Sequence, residues 1–561
     1  MKLKSEILGY SLISIVEEMG ISLRKSSYSH NIKERADHSC IVANNEGKIL
    51  AQAEHLPVHL GSFYVGFKNF LKYIEENDIK IEEGDMFIVN DPYIIGTHLN
   101  DITIIRPVFY SGKLAFFVAN KAHHIDVGGI YAGSINWECK NLYEEGIVIQ
   151  PVKIMRKNRL CKEILKIIKF KIATFEIFLG DLFAQISSNI LGERRLVELV
   201  HNYGLEVFNN EISNFLENTK IKVLKSLSKF KEGKYYAEDY LEYDTSLIKI
   251  CCNLEFKKNG IKINFNGTSK QLDKPLNAVF GVTFASSSFA IRCLIEDPEL
   301  PINDGFYSIL EVEAERGSLL NPVKPAPVSA GNTETSQRIV DVIFKALSHA
   351  YSELIPAASQ GTMNNLILSG KYENGEKWIY YETIGGGFGA RFNKDGVNAV
   401  QVNMTNTMNT PVEEIERNYP LMVFKYEIRQ DSCGSGKWRG GCGIERGFLA
   451  LDEINVSIIA ERNIIKPYGL AGGFEGENGE ILLLKGNETK KLPSKFSFKL
   501  NKGGILIIKT PGGGGYGKPH ERDLKLIISD LLNEYISIEK AVKDYNLDYQ
   551  NIKSIIDKLK I

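Results

Sequence analysis

The chain is poor in cysteine and has no cysteine framework. Eight cysteines are spread over 561 residues, no C-x-x-C pair occurs, and Cys251 and Cys252 are adjacent. Neither a zinc–thiolate site nor a disulfide scaffold is expected, and reduced thiols in a cytoplasmic protein are the simple reading. No stretch approaches the roughly 20 apolar residues of a membrane-spanning helix. Glu6, Glu17, Glu18 and Arg24 break up the N-terminal region, which argues against a signal peptide. Charge of one sign is lacking too. A formal net charge of −1 gives no electrostatic case for nucleic acid or an anionic membrane as partner. There is no phosphate-binding loop of the form G-x-x-x-x-G-K followed by serine or threonine. Gly385–Arg391 and Gly512–Gly517 are glycine-rich, but neither clearly joins a strand to a helix, and both read as tight turns where backbones approach each other. No cofactor-binding residues are therefore expected, and any ATP used in the reaction is bound elsewhere. A convincing nucleophile arrangement is also missing. Ser329, Thr333 and Ser336 sit in a polar loop entering a helix, where N-capping is their bland role; Asn332, Glu334 and Arg338 are the candidate substrate contacts there.

A chain this long exceeds the size at which one core stops growing. The pattern predicts an α+β fold: a large multi-lobed chain with mixed and antiparallel sheets, a β-hairpin-rich N-terminal part and a helical segment. An amphipathic helix is expected over 5–23, a β-rich block with two hairpins to about residue 130, and helices from 162 to about 230. Strands dominate 240–265. The stiff Pro322–Pro327 connection leads to a helix from about 333–336 to 349. The remainder reads as mostly β before a helical tail from about 526. The expected lobes are 1–235, 236–400 and 401–561.

Seven of the ten histidines fall within the first 124 residues. Ile102–Tyr110 and Leu114–Asn120 are β-rich runs separated by Ser111-Gly112, a hairpin turn signal. A two-residue loop sets Asp101 opposite Ala122, and a three-residue loop sets it opposite His123. Either register brings Asp101 beside His123-His124, with His98 just outside the strand. Imidazole and carboxylate ligands converging in this way suit a catalytic divalent cation; a hydrogen-bonded polar strand end is the alternative. A second hairpin, 40–43 with 48–53, repeats the layout. Pairing Ala43 with Lys48 sets Asp37 opposite Glu54, so that Asp37, His38, His55 and His59 gather near a strand end.

These residues sit in motifs that run along the chain. They include Asn31-Ile-Lys-Glu-Arg-Ala-Asp37-His-Ser-Cys, Pro57-Val-His59, Asn90-Asp91-Pro, Gly96-Thr-His98-Leu-Asn-Asp101 and Ala122-His123-His124-Ile-Asp126. Further on come Gly331-Asn-Thr-Glu-Thr-Ser-Gln-Arg338, Tyr381-Glu-Thr-Ile-Gly-Gly-Gly387, Met404-Thr-Asn-Thr407 and Pro511-Gly-Gly-Gly-Gly-Tyr-Gly517. In these the chain resembles the hydantoinase B/oxoprolinase family, which takes in B subunits of ATP-dependent hydantoinases, half of 5-oxoprolinase, and acetone and acetophenone carboxylase subunits. The resemblance implies a hetero-oligomer with a hydantoinase A-type ATPase of the actin/Hsp70 kind, which phosphorylates the substrate carbonyl oxygen. This chain would then take the activated intermediate at a divalent metal (Zn, Mn or Fe). By the family's His-x-x-Asp pair plus downstream histidine, the ligands map to His98, Asp101 and His123. Asp37, His124 and Asp126 are the expected catalytic residues, with Asp37 or His124 accepting a proton from water. The implied reaction is hydrolysis of a small cyclic amide, with ATP-dependent ketone carboxylation as the alternative. Ala132, Phe183 and the Gln401–Asn403 stretch depart from the family pattern, so pocket contacts are expected to differ.

Overall fold

Strict alternation of apolar side chains in 101–123 builds the middle of a seven-stranded sheet. In the computed structural model, which describes residues 2–559 except Glu54, Thr245 and Asn487, its strands are β1 (His38–Asn44), β2 (Ile49–Gln52), β3 (Met86–Val89), β4 (Asp101–Tyr110), β5 (Lys113–His123), β6 (Val152–Arg156) and β7 (Arg159–Leu160). Their order is β2-β1-β5-β4-β3-β6-β7, and every pairing is antiparallel. Successive side chains of a strand point to opposite faces. Phe116 and Val118 accordingly pack with Leu12, Val16 and Met19 of the helix Lys2–Ser26. Phe117 and Ala119 pack with Phe63, Phe67 and Phe70 of the helix Pro57–Glu76.

That second helix corrects the β-rich reading of the first 130 residues. Pro57 occupies its first turn, and Phe63, Phe67, Phe70 and Ile74 recur every three or four residues on its buried side. The helix Phe175–Tyr203 crosses the other face. There Gln185 and Asn189 donate to the carbonyls of Ile102 and Ile104, and Asn120 donates to the Gln185 carbonyl, matching polar groups that burial would otherwise strand.

Three further sheets complete the described residues. One joins Gly233–Tyr243, Ser246–Lys257, Gly260–Asn264 and Leu310–Glu313, the last two strands parallel. The other two lie between 365 and 509, followed by helices Leu524–Leu532, Ile538–Tyr545 and Tyr549–Leu559. Among the described residues no helix is long and apolar enough to cross a membrane.

Two local expectations are corrected. Ser329, Thr333 and Ser336 do not cap the helix Ser336–Tyr351. The chain enters it through a π-turn, Gly331–Thr335, whose backbone carbonyls already serve the first N–H groups, and the Thr333 and Ser336 hydroxyls donate to the Ala330 and Asn332 carbonyls. In the first hairpin, Ala43 pairs with Ile49 rather than Lys48, because a bulge at Val42/Ala43 absorbs one residue. The expected opposition of Asp37 and Glu54 lies outside the described residues.

The glycine clusters are woven together. A Cβ on Gly389 would stand 2.5 Å from the Ala357 carbonyl carbon, and one on Gly513 would stand 2.5 Å from the Phe388 carbonyl carbon. Backbone meets backbone there, and rigid peptides cannot give way. Gly389→Ala should therefore cost about 1–3 kcal/mol of stability, read as a lowered denaturation midpoint; an unchanged midpoint would contradict this packing.

Candidate metal centre

The β4–β5 hairpin resolves the open register in a way neither loop length anticipates. The turn is a two-residue one, with Ser111 at φ 50° and Gly112 at φ 74°, and Tyr110 pairs with Lys113. A bulge at Val108/Phe109 then adds one residue on β5, and from there on the register sets Asp101 opposite His123. On its other side β5 is flanked by β1, and the His123 N–H donates to the Asp37 carbonyl at 3.1 Å. Three neighbouring strand ends thus deliver Asp37, His123 and Asp101 to one place. His98 arrives from a tight turn in which the Asp101 N–H donates to the His98 carbonyl at 3.1 Å. His59 comes from the first turn of the helix Pro57–Glu76.

These side chains are buried and close. His98 Nε2 stands 3.3 Å from Asp101 Oδ1, His123 Nδ1 stands 3.5 Å from the same oxygen, and the two ring nitrogens are 3.2 Å apart. His59 Nε2 lies 3.2 Å from Asp101 Oδ2 and 4.0 Å from Asp37 Oδ1. Asp37 Oδ2 is 3.8 Å from His123 Nδ1. The ligand atoms of His98, Asp101 and His123 all lie within 4.8 Å of one another. The His98 Nδ1–H donates to the Ser329 carbonyl at 3.1 Å, so Nε2 carries the lone pair that faces the group. Burial works against a charged Asp101, yet the charges of His98 and His59 outweigh it and hold the carboxyl well below its ordinary range. Burial also pushes the His123 imidazole down, toward the neutral form a ligand requires.

The donor set can be tested for fit. Both Asp101 carboxyl oxygens are buried without a hydrogen bond, and so are His59 Nε2 and Asp37 Oδ1. A desolvated carboxylate with no donor is costly unless a cation meets it. Two imidazole nitrogens and that carboxylate are the ligands of a borderline divalent ion. The residues fit.

The other expected site residues lie around this group rather than in it. His124 bonds Gln185 Oε1 at 2.9 Å through Nε2, and its ring tilts against Phe178. Asp126 accepts from the Ser134 hydroxyl at 3.1 Å. His38 and His55 pair with each other, ring centroids 4.8 Å apart, and burial together with the His59 charge holds His55 down at about 4. Arg338 is bound among carboxylates, 2.9 Å from Asp341 and 3.6 Å from both Asp239 and Glu461. Glu334 accepts from the Met363 N–H and from Asn365. The Asn332 Oδ1 is buried and unmatched.

Sequence reasoning missed two supports. Tyr381 stacks on His123, centroids 5.0 Å apart and planes within 5°, and its hydroxyl donates to Asn365 Oδ1. Arg35 lies over the same ring and donates to the Tyr381 carbonyl. Lys121, two residues before His123, is fully buried with its ammonium on the Ser62 hydroxyl and the Ile95 carbonyl; burial pushes it down to about 7.

The Hydantoinase B/oxoprolinase profile matches residues 1–519. The chain belongs to the Hydantoinase B/oxoprolinase family. It is 48% identical to an uncharacterised protein of Methanocaldococcus jannaschii, over 97% of this chain and 96% of that protein. It is 30% identical to the B subunit of a putative D-/L-hydantoinase from a Pseudomonas strain, over 98% and 95%. It is 35% identical to 5-oxoprolinase 1 of Arabidopsis thaliana, over 91% of this chain but only 41% of that protein, so it spans about two-fifths of such longer relatives. An ATP-dependent caprolactamase from Pseudomonas jessenii superposes with a TM-score of 0.91 at 25% identity, covering 98% of this chain and 97% of the other. An acetone carboxylase in its nucleotide-free form shares the fold, with a TM-score of 0.89 at 19% identity over 99% and 83% of the two chains.

Two outcomes follow from this geometry. The purified chain should retain about one divalent ion per molecule, and His98→Ala or His123→Ala should abolish retention; elemental analysis showing full occupancy in both variants would end the assignment. Burial raises Glu334 to about 8, above the 4.5 of an exposed glutamate. A carboxyl raised in the folded state gives stability that is complete below its unfolded value and lost as pH rises through the folded one. Between about pH 5 and 8, Glu334→Gln should therefore gain on the parent by up to about 1.4 kcal/mol per pH unit. Parallel stability–pH profiles for the two proteins would refute it.

Proposed function

We propose that this chain is the B-type component of an ATP-dependent cyclic amidohydrolase, hydrolysing a ring carbonyl that an A-type ATPase partner has phosphorylated. The observation that carries the reading is the buried carboxylate of Asp101, unmatched by any hydrogen bond and set between His98 and His123. The support from relatives is their printed chemistry: hydantoins, 5-oxoproline and caprolactam are all ring amides. The hydantoinase relative is itself named as one of two kinds of chain, and the 5-oxoprolinases have more than twice this length in one chain.

His98 Nε2, Asp101 and His123 Nδ1 would hold a divalent cation. When bound, it supplies Lewis acidity and an acidic water near neutral pH. The chain's own residues do the rest. The Ser329 carbonyl fixes the His98 tautomer, and Tyr381 closes one face of His123 to solvent. Asp37 Oδ1, unmatched and beside the ligands, accepts a proton as water adds to the activated carbon. An amide resists water because resonance protects its carbonyl carbon; phosphorylation of the oxygen removes that protection and creates a leaving group. Of the three expected substrate contacts, Asn332 Oδ1 and Glu334 Oε2 keep buried atoms free for a ring N–H, while Arg338 is engaged with carboxylates.

The experiment is reconstitution with an A-type partner and ATP. A hydantoin, 5-oxoproline or a simple lactam should be ring-opened, whereas carboxylation of a ketone with bicarbonate and no ring opening would overturn the reading. In the same assay Asp101→Asn should lower ring opening by about 10²–10⁴-fold, roughly 2.7–5.5 kcal/mol, while substrate-dependent phosphate release falls far less. Equal losses in both rates would remove Asp101 from the step after phosphorylation.

A further inference from the structure

Glu145 is fully buried, and among the described residues no lysine, arginine or histidine lies within ion-pair distance of it. A carboxylate in that position costs stability unless its bonds serve something else. It closes the short helix Leu142–Glu145, which Asn141 caps by accepting from the Tyr143 and Glu144 N–H groups. Its Oε1 accepts from the Val328 N–H at 2.9 Å and from the Ser329 N–H at 2.9 Å; its Oε2 also reaches the Val328 N–H, at 3.0 Å. The residue so gripped, Ser329, is the one whose carbonyl takes the His98 Nδ1–H at 3.1 Å. The preceding loop is held as well. Pro325, Ala326 and Pro327 give their carbonyls to the Leu142 N–H, the Tyr93 hydroxyl and the Asn277 amide, each at 2.8 Å. Consecutive bonds to different parts of the molecule leave residue 329 little freedom.

We propose that Glu145 is a positioning residue for the metal centre: it clamps Ser329, whose carbonyl locks His98 in the Nδ1–H tautomer and leaves Nε2 as the ligand atom. This rests on reading His98, Asp101 and His123 as a cation site. Histidine ligands are commonly oriented by a carboxylate or a carbonyl on their other nitrogen. Here the carboxylate acts one residue removed, through the backbone it grips. Neither Glu145 nor Ser329 touches the ion, so their effect is on its affinity and on nothing that reacts.

The test is Zn²⁺ and Mn²⁺ affinity of the full chain, measured by competition with a chromophoric chelator, alongside melting with and without the ion. Glu145→Gln removes the charge and turns an amide N–H₂ toward backbone N–H groups that cannot accept from it; binding should weaken about 10–100-fold, and the rise in melting temperature on adding the ion should shrink. Glu145→Asp keeps the charge but withdraws it by one methylene, so it should weaken binding less, and it decides the matter should Glu145→Gln not fold. A variant that melts lower without metal yet keeps the parent's affinity and metal-induced rise assigns Glu145 to stability alone and overturns the proposal. A parent chain that takes up neither ion overturns the metal reading itself, a result distinguishable from failure of the clamp.

Discussion

A carboxylate stripped of water with no hydrogen bond to either oxygen is the constraint around which the N-terminal half is arranged. Asp101 ends β4 in the interior, and moving such a group out of water costs several kcal/mol even after the surroundings relax. Only positive charge offsets that cost, and three imidazoles are brought to it: His98, His123 and His59. They repel one another when protonated, so neutral imidazoles around one divalent ion relieve both problems at once. Cation uptake and consolidation of this region are then a single event, since the ligands are ill suited to being together without the ion.

The geometry is rigid because its parts come from a sheet and not from loops. One bulge in β5 decides which residue faces Asp101, and β1 adds Asp37 from the opposite edge of the same strand. What lies beyond the hairpin arrives from far along the chain. Ser329 orients His98 across 231 residues, and Tyr381 stacks on His123 from the neighbourhood of a different sheet. The ligands are local, while the groups that orient them are distant. The hairpin can form early, at low loop-closure cost, but a site of defined geometry exists only once the central segment has docked.

The hairpin was legible in the sequence because alternation and a Ser-Gly turn are short-range signals, and the convergence of Asp101 with His123 survived either loop length. The bulge was not legible; nothing in Val108, Phe109 or Ala115 announces an extra residue. The helix Pro57–Glu76 was legible and missed. Phe63, Phe67, Phe70 and Ile74 carry its period, but strand-like neighbours on both sides dominated the reading, and His59 was left as one histidine among several. His124 was drawn into the site by adjacency to His123, although neighbours at a strand end face different ways, and here Gln185 takes it. Glu145 and Ser329 could not be seen at all. Their roles are hydrogen bonds between backbone and side chain across more than 180 residues, which leave no trace in composition or spacing.

A caprolactamase and an acetone carboxylase share this fold, so the fold selects neither reaction. Selection has to reside in atoms that remain free once the scaffold's own bonds are made. In this chain Arg338 is spent on carboxylates, His124 on Gln185 and Asp126 on Ser134, which removes three groups that sequence alone would assign to chemistry. What remains near the ligands is small and specific: one Asp37 oxygen able to take a proton, and an Asn332 carbonyl able to take an N–H. Water addition to an activated amide asks for those two functions, a proton acceptor beside the nucleophile and an acceptor for the ring nitrogen's hydrogen. A ketone offers no N–H, and a buried amide oxygen left facing it would lose its partner, at about 1–3 kcal/mol. The unmatched atoms therefore favour a ring amide over a ketone, a discrimination set by which polar groups the fold leaves unsatisfied.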